Sequence, residues 1–196
     1  MLIDLMRHGE PVGGSRYRGQ IDDPLSDKGW QQMRDAVANH SPWEGIVTSP
    51  LTRCRAFAEA CAAERQLFVT IEDDYKEIGF GAWEGKTRAE LTAIDPQQLQ
   101  RFYGDPIAHR PKGAETLVAF STRVMIAWQR MVDAHQGQHL LVVAHAGVIR
   151  VLISHALGLP FDKMFRLQIS NASISRIAWQ QGQPPVLQFH NGRLGE

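Results

Sequence analysis

Two arginines and two histidines, Arg7, His8, Arg53 and His145, stand at or shortly after the ends of short apolar runs of the chain. Arginine stays charged at neutral pH and presents a rigid fork of donors that matches the oxygens of a phosphoryl group. Histidine can serve as nucleophile, acid or base in the same pH range. Gly9, which follows His8, lets the backbone turn tightly. If the fold brings the four together, they form a pocket for a doubly charged phosphoryl group, in which one imidazole attacks phosphorus and the other donates to its oxygens.

Such chemistry also requires a carboxylic acid that can protonate the leaving oxygen. Glu77 and Glu84 are the candidates, and both lie in residues 75–85, a loop in which bulky aromatic residues are interspersed with glycines. This composition predicts a shaped wall rather than a flexible linker. Because Glu84 fits an ordinary surface carboxylate better than Glu77 does, Glu77 is the predicted acid.

The elements that must position these residues follow from the hydrophobic pattern. Short apolar runs bounded by charged or turn residues indicate buried strands, and apolar residues three or four apart indicate helices. The predicted strands are 2–6, 45–48, 67–71 and 139–144, with closing strands near 164–169, 173–180 and 186–189. The predicted helices are about 27–38, 50–64, 86–94, 96–103, 114–134 and 148–157. In a mostly parallel sheet the carboxyl ends of the strands share one edge, where α/β folds bind ligands, so the four residues can converge there.

Three details of these elements are specific. Ser26 and Ser49 are the predicted N-caps of the first and second helices. His145 directly precedes a helix, which is a favourable place to hold an anion. The predicted buried stripe of the helix 114–134 consists of Val118, Val124, Met125, Trp128 and Val132.

Residues 11–29, between the first strand and the first helix, have the Gly, Pro, Asp and Ser content of a loop. The loop carries Arg16, Arg18 and Gln20 close behind the His8 strand. Two interpretations stay open. A solvated loop with ordinary surface arginines is favoured for either arginine alone, whereas a functional loop folded over the His8 site is the sharper alternative.

Length and composition are those of an ordinary globular protein. The 196 residues, 43% hydrophobic and 21% charged, predict a single domain over residues 1–196 with a sizeable core. The formal net charge is +0, so long-range attraction to nucleic acid or to an anionic membrane is not expected, and any anion site must be local. The first residues do not predict a secretory signal, and no apolar stretch approaches the about 20 residues of a membrane-spanning helix.

The cysteines and the remaining histidines favour a cytoplasmic protein without a metal. Cys54 and Cys61 lie in one predicted helix at about 1.5 Å rise per residue, hence about 10 Å apart, too far for a disulfide. Free thiols are typical of the cytoplasm. His135 and His139 have the spacing of a helical metal pair, but a glycine intervenes and no carboxylate or cysteine cluster accompanies them. We therefore predict neither a metal nor another cofactor.

Four segments occur together in one order along nearly the whole chain: 5–10 (LMRHGE), 48–53 (TSPLTR), 77–85 (EIGFGAWEG) and 143–147 (VAHAG). They resemble the histidine phosphatase superfamily, in its phosphoglycerate mutase-like branch. Each segment alone is a weak motif, whereas all four in this order are highly specific. The fold that the resemblance implies is α/β, a three-layer α/β/α sandwich with a mainly parallel central sheet.

The resemblance also implies a role for each site residue. His8 would be the nucleophile that becomes phosphohistidine, and Glu77 would protonate the leaving alcohol and later act as the base for water. Arg7, Arg53 and His145 would clamp the phosphoryl group. The substrate-binding residues would be these three together with Ala146, Arg18, Gly19 and Gln20. The implied partner is a small-molecule phosphate ester, and no metal is implied.

Further features of the sequence bear on the reaction and the substrate. Mutases of the family carry a longer insert after the acid that holds a second charged end of the substrate, whereas residues 86–113 are short and lack that pattern, which favours hydrolysis. Segments 18–25 and 80–85 look most like alpha-ribazole phosphatases of cobalamin synthesis. Pro11 and Gly14 or Ser15 depart from the family pattern, so we expect this loop to decide the substrate preference.

Three hypotheses therefore stand. The first is a metal-independent phosphomonoesterase that works through phosphohistidine, with alpha-ribazole 5'-phosphate as a candidate ester. The second is a cofactor-dependent phosphoglycerate mutase, and the third is a non-catalytic module that binds a phospho-ligand or a protein. The presence of both His8 and Glu77 favours an enzyme. The sequence leaves the natural alcohol and the oligomeric state open.

Overall fold

The computed structural model describes residues 1–38, 40 and 42–194 of the chain. The strands are Leu2–Arg7 (β1), Gly45–Thr48 (β2), Phe68–Ile71 (β3), His139–Ala144 (β4), Ile174–Ala178 (β5) and Val186–Gly192 (β6). The α-helices are Asp27–Val37 (α1), Thr52–Arg65 (α2), Arg88–Ile94 (α3), Gln98–Gly104 (α4), Leu117–Ala134 (α5) and Ala146–Ala156 (α6). Short 3-10 helices cover Asp73–Tyr75, Gly81–Trp83 and Phe161–Arg166.

The strands form one sheet in the order β3-β2-β4-β1-β5-β6. The first four run parallel to one another, while β5 pairs antiparallel with β1 and β6 pairs antiparallel with β5. Helices α5 and α6 cover one face of the sheet, and α1 and α2 cover the other. The predicted three-layer α/β/α sandwich around a mainly parallel sheet is confirmed.

The inner strands are apolar because both of their faces are covered. In β1, Ile3 and Leu5 pack with α5 and α6, whereas Met6 packs with α1 and α2. All three side chains are fully buried. Since successive side chains of a strand point to opposite faces, a strand between two helical layers gives an apolar run without alternation.

The carboxyl ends of β2, β4 and β1 lie side by side. Arg7 is paired with Ala144 across β1 and β4, and Thr48 is paired with Val143 across β2 and β4. The three segments that carry the predicted arginines and histidines therefore leave the sheet at neighbouring points of one edge. The expected convergence of residues far apart in the sequence is confirmed.

One predicted strand is wrong. Residues 164–169 do not form a strand, because Phe161–Arg166 is a 3-10 helix that follows Pro160. The place beside β1 is taken by β5 instead. Met164 instead packs into the core against the helical layer of α5 and α6.

The predicted helix caps have different outcomes. Ser26 is the N-cap of α1 and accepts a hydrogen bond from the Gly29 amide, as predicted. Ser49 is not a cap, because α2 begins only at Thr52 and its N-cap is Leu51, whose side chain makes no capping bond. Ser49 is therefore free for another contact.

The buried stripe of α5 is correct except at its start. Val124, Trp128 and Val132 are fully buried or nearly so, and Met125 packs against the same core, but Val118 is 70% exposed. Val118 lies six residues before Val124, which does not match the three- or four-residue spacing of one helix face. Leu117 and Phe120 occupy that face instead.

A fully buried acid, Asp4, joins several elements at the middle of β1. Its carboxylate accepts hydrogen bonds from Trp43 Nε1 at 2.8 Å, from His139 Nε2 at 2.9 Å, and from Nε and Nη2 of Arg176 at 2.7 and 2.9 Å. Burial by itself raises the pKa of Asp4, but these hydrogen bonds outweigh burial and hold the pKa below its ordinary value. The carboxylate thus ties β1 to β4 and β5.

Replacing Asp4 with alanine would leave the donors of Trp43, His139 and Arg176 without their acceptor. Because removing one partner of a buried ion pair costs about 3–5 kcal/mol, we expect Asp4→Ala to lower the free energy of unfolding by about that amount. Urea denaturation measures the change. Glu59→Ala is the matched control, since Glu59 belongs to an exposed ion pair worth at most about 1 kcal/mol. A loss no larger than that of the control would contradict the role given to Asp4.

Candidate active site

A cavity of about 260 Å³ lies above the carboxyl ends of β1, β2 and β4. The predicted site residues that border it are Arg7, His8, Arg18, Gly19, Arg53, Glu77 and Ala146. Ala146 borders it as the first residue of α6, so the amino terminus of that helix faces the cavity. The structure thus brings together residues from both ends of the chain.

His8 is buried, and one hydrogen bond determines which ring nitrogen is protonated. Nδ1 lies 2.7 Å from the carbonyl oxygen of Gly9. A carbonyl oxygen can only accept, so Nδ1 carries the proton and Nε2 keeps its lone pair. Burial, and then the positive charges of Arg7 and Arg53, hold the pKa of His8 well below its ordinary value. The ring is therefore neutral at pH 7.

Gly9 is required because two segments approach each other closely. A Cβ on Gly9 would lie 2.2 Å from the carbonyl oxygen of Gly29, and a Cβ on Gly29 would lie 2.1 Å from that of Glu10. The segment after His8 is thus packed directly against the first turn of α1. The predicted reason for Gly9, a tight turn, is wrong, because the backbone forms neither a turn nor a bend at residues 8–10.

Arg7 and Arg53 border the same cavity, and backbone carbonyls hold both. Arg7 Nη1 donates to Ile169 at 2.7 Å, and Arg53 Nη1 and Nη2 donate to Ile21 and Gly19 at 2.7 and 2.9 Å. The Nε of each is buried without a hydrogen-bond partner among the described residues. Burial lowers the pKa of Arg7 to about 10, so the side chain stays charged at neutral pH. Neutral carbonyls therefore orient both cations without cancelling their charge.

His145 lies behind His8 rather than on the cavity wall. It is the fully buried N-cap of α6, and its ring centroid is 5.2 Å from that of His8. Nε2 of His145 is 2.7 Å from Ser49 Oγ, which is the contact that replaces the predicted cap. Burial, and then the charge of Arg53, keep the pKa of His145 well below its ordinary value. The structure thus holds two neutral imidazoles against each other.

Cys54 packs against the second histidine. Its Sγ lies 3.6 Å from Nε2 and 3.7 Å from Nδ1 of His145, and burial raises the pKa of its thiol. Both Cys54 and Cys61 are buried free thiols. The prediction that these cysteines form no disulfide is confirmed.

Glu77 borders the cavity from the loop 75–85, and backbone amides hold its carboxylate. Oε2 accepts from the Gly147 amide at 3.2 Å, and Oε1 accepts from the Ile78 amide at 2.9 Å. A Cβ on Gly147 would lie 2.2 Å from Glu77 Oε1, so only glycine leaves space for the carboxylate. Glu84 does not border the cavity, since its Oε1 accepts from the Phe80 amide at 2.9 Å. The geometry therefore favours Glu77 over Glu84.

The loop after β1 folds over the cavity, as the sharper of the two interpretations expected. Arg18 is buried beneath it, with Nε donating to Asp23 at 2.9 Å and Nη2 donating to the Val12 carbonyl at 2.7 Å. Arg18 thus secures the loop as well as bordering the cavity. The residues that depart from the family pattern also border it, namely Pro11, Gly14 and Ser15.

Of the neighbouring residues Gly19 and Gln20, only Gly19 borders the cavity. Gly19 borders it, and its carbonyl oxygen holds Arg53. Gln20 is exposed and does not border it, and its Nε2 contacts the backbone carbonyl of Glu77 at 3.4 Å. The structure therefore does not bring Gln20, a predicted substrate-binding residue, to the cavity.

Sequence reasoning missed most of the outer wall of the cavity. The residues missed are Tyr17, Tyr103, Arg150, Phe165 and Asn171, whereas Phe80 belongs to the predicted aromatic wall. The hydroxyls of Tyr17 and Tyr103 are 2.7 Å apart, which links the loop after β1 to α4. Only Arg150 had a usable signal, because it lies in the first turn of the helix predicted just after His145.

The two histidines with the spacing of a metal pair, His135 and His139, contact protein side chains instead. His135 Nδ1 is 2.9 Å from Gln138 Oε1, and His139 contacts Asp4. Within residues 1–38, 40 and 42–194, no group of three or more His, Cys, Asp or Glu residues could hold a metal ion. No helix in this part of the chain is long and apolar enough to cross a membrane.

Known proteins are similar to this chain in sequence. Bifunctional protein Rv2228c of Mycobacterium tuberculosis is 33% identical over 176 residues, which are 87% of this chain and 48% of that protein. The chain thus spans about half the length of this relative. A probable phosphoglycerate mutase, GpmB of Escherichia coli O1:K1, is 31% identical over 186 residues, or 92% of this chain and 86% of that protein.

The fold is shared with solved structures. The crystal structure of the alpha-ribazole phosphatase from Shigella flexneri superposes with a TM-score of 0.84 at 28% identity, covering 98% of this chain and 97% of that one. Residues 3–192 match the family model described as histidine phosphatase superfamily, branch 1. This match includes all four segments that carry the site, and the chain therefore belongs to the histidine phosphatase superfamily.

Proposed function

We propose that the chain is a metal-independent phosphomonoesterase that hydrolyses a small-molecule phosphate ester through a phosphohistidine intermediate. The observation that carries the proposal is the state of His8: its Nδ1 donates to the Gly9 carbonyl, which leaves a lone pair on Nε2 beside Arg7 and Arg53. Membership of the family and a named phosphatase among its structural relatives support the same activity.

In the first step, Nε2 of His8 attacks the phosphorus atom, and the bond from phosphorus to the alcohol oxygen breaks. Glu77, protonated at this stage, gives its proton to the leaving oxygen. The Gly9 carbonyl accepts a stronger hydrogen bond as the imidazole becomes positively charged. The products of this step are a free alcohol, phosphohistidine and the Glu77 carboxylate.

In the second step, the Glu77 carboxylate takes a proton from water, and the water oxygen attacks the phosphorus atom of phosphohistidine. The bond from phosphorus to Nε2 breaks, inorganic phosphate leaves, and both side chains return to their starting states. The Gly147 and Ile78 amides keep the carboxylate in place between the two steps.

Arg7 and Arg53 stabilise the charge on the transferring group in both steps. Each guanidinium has five N–H donors, of which Arg7 gives one and Arg53 gives two to backbone carbonyls, so further donors of both side chains are available to phosphoryl oxygens. Such preoriented donors in a dry site are usually the largest contribution to catalysis. His145, held by Ser49, supports the ring of His8 from behind.

The identity of the ester is a finer proposal. The segments 18–25 and 80–85 and the Shigella structure support alpha-ribazole 5'-phosphate, whereas the relationship to a probable phosphoglycerate mutase supports a phosphoglycerate and, as a second function, mutase activity. Residues 86–113 hold only the short helices α3 and α4, which favours hydrolysis.

We infer a cytoplasmic enzyme, because the free thiols Cys54 and Cys61 fit that compartment.

The proposal predicts that the purified chain releases phosphate from p-nitrophenyl phosphate in the presence of a metal chelator. We expect His8→Ala to lower kcat/KM by at least about 10³-fold, because the nucleophile is lost. His109→Ala, which removes an exposed histidine, is the matched control and should keep wild-type activity. Activity that persists in His8→Ala, or that depends on added metal, would contradict the mechanism.

A second prediction concerns the acid. An alkoxide leaves poorly without a proton, so we expect Glu77→Gln to slow hydrolysis of alkyl phosphates by about 10²–10⁴-fold. Aryl oxides need little protonation, so the first step with p-nitrophenyl phosphate should slow by less than about tenfold in a rapid-quench burst of p-nitrophenol. Glu84→Gln serves as the control and should affect both esters alike. Equal losses for both esters in Glu77→Gln would assign Glu77 a structural role.

A further inference from the structure

Arg150 is a residue of α6 and borders the cavity. Its Nε donates to the Leu167 carbonyl at 2.9 Å, and its guanidinium lies over the Phe165 ring, 5.6 Å from the centroid. These two contacts fix the plane of the guanidinium and the direction of its outer edge. The side chain is half-buried and borders the cavity.

The two Nη groups of Arg150 have no partner among the residues that the structure describes. Among the described residues, Nε is the only nitrogen of this guanidinium that donates a hydrogen bond, and no carboxylate forms an ion pair with it. Arg123 is also half-buried, but its guanidinium donates to Glu115 and to the carbonyls of Asp74, Lys76 and Glu77. Because Arg150 borders the cavity and its Nη groups donate to no described residue, an acceptor on a ligand can bind them without displacing a protein contact.

The charge of the cavity exceeds what one phosphoryl group needs. Five arginines border the cavity. Arg18 is paired with Asp23, and Arg16 lies 4.0 Å from Glu90. Because Arg7 and Arg53 match a phosphoryl dianion, Arg150 is a further positive charge that has no carboxylate partner among the described residues. The wall that Arg150 faces is neutral there, with Tyr17 and Tyr103 hydrogen-bonded to each other. The nearest acid of the site, Glu77, is already held by amides.

We propose that Arg150 binds a carboxylate on the alcohol part of the substrate and thereby selects phosphate esters of small hydroxy acids. This inference rests on the proposed phosphatase function and names its substrate class. The planar fork of the guanidinium matches a carboxylate bidentately. The cavity of about 260 Å³ is below the about 300–1,000 Å³ of typical drug-sized ligand sites, which favours a small acid. A neutral alcohol, such as that of alpha-ribazole 5'-phosphate, would leave the donors of Arg150 unpaired.

A matched pair of esters tests this directly, because 3-phosphoglycerate and glycerol 3-phosphate differ only in a carboxylate against a hydroxymethyl group. We expect the wild type to prefer 3-phosphoglycerate in kcat/KM by at least about tenfold, the lower end for a hydrogen-bonded charge. Arg150→Gln should lose about 10- to 100-fold on 3-phosphoglycerate, mainly through KM, and should change little on glycerol 3-phosphate. Arg150→Lys, which keeps the charge but not the fork, should retain part of the preference.

Arg166→Gln is the control for a general loss of positive charge, since Arg166 is exposed and lies on the nearby 3-10 helix. It should leave the preference unchanged. Equal use of both esters by the wild type, or an equal loss on both in Arg150→Gln, would overturn the inference about Arg150 while the phosphatase function stands. If no ester is hydrolysed, the phosphatase function fails. Calorimetric Kd values for the same two esters would then test Arg150 independently, with equal values counting against it.

Discussion

The hydrogen bond from His8 Nδ1 to the Gly9 carbonyl is the interaction on which the rest of the site depends. A neutral imidazole has one donor nitrogen and one acceptor nitrogen, and this bond assigns the two. The bond requires the Gly9 backbone to lie where a close approach to Gly29 places it. In the proposed mechanism, the packing of β1 against α1 thus determines which atom of the protein attacks phosphorus, and Arg7 and Arg53 bring a phosphoryl group to that atom.

Stability and function are separated along β1. In the middle of the strand, the negative charge of Asp4 is fully matched by Arg176, His139 and Trp43. At its carboxyl end, cations stand close together and are oriented by neutral carbonyls instead of carboxylates. Burial there lowers the pKa of Arg7 to about 10, a measure of how poorly that charge is compensated. An anionic ligand stabilises such a site. Without the ligand, the buried cations are unfavourable for stability, and the contacts of the core around Asp4 offset this effect.

The sequence predicted features that depend on local patterns. The strands before His8 and His145 were recognisable because buried parallel strands are continuously apolar, and their carboxyl ends had to share an edge. The prediction of a strand at residues 164–169 was wrong, because the apolar content of this segment could not reveal that β5 occupies the place beside β1. The prediction of Ser49 as an N-cap was wrong because α2 starts three residues later. The contact of Ser49 with His145 depends on tertiary packing, which the local sequence does not show. The outer wall with Arg150 was missed because it is assembled from a loop, two helices and a 3-10 helix, none of which carries a motif for it.

The most direct test of the central claim is to locate the phosphoryl group on the enzyme. Glu77→Gln incubated with p-nitrophenyl phosphate should accumulate phosphoenzyme, because the aryl oxide leaves without an acid while the attack of water lacks its base. Phosphorus NMR and mass spectrometry of the quenched protein should then find an acid-labile phosphoryl group on Nε2 of His8. A phosphoryl group on Nδ1 or on another residue would contradict the account, as would release of aryl oxide without any phosphoenzyme.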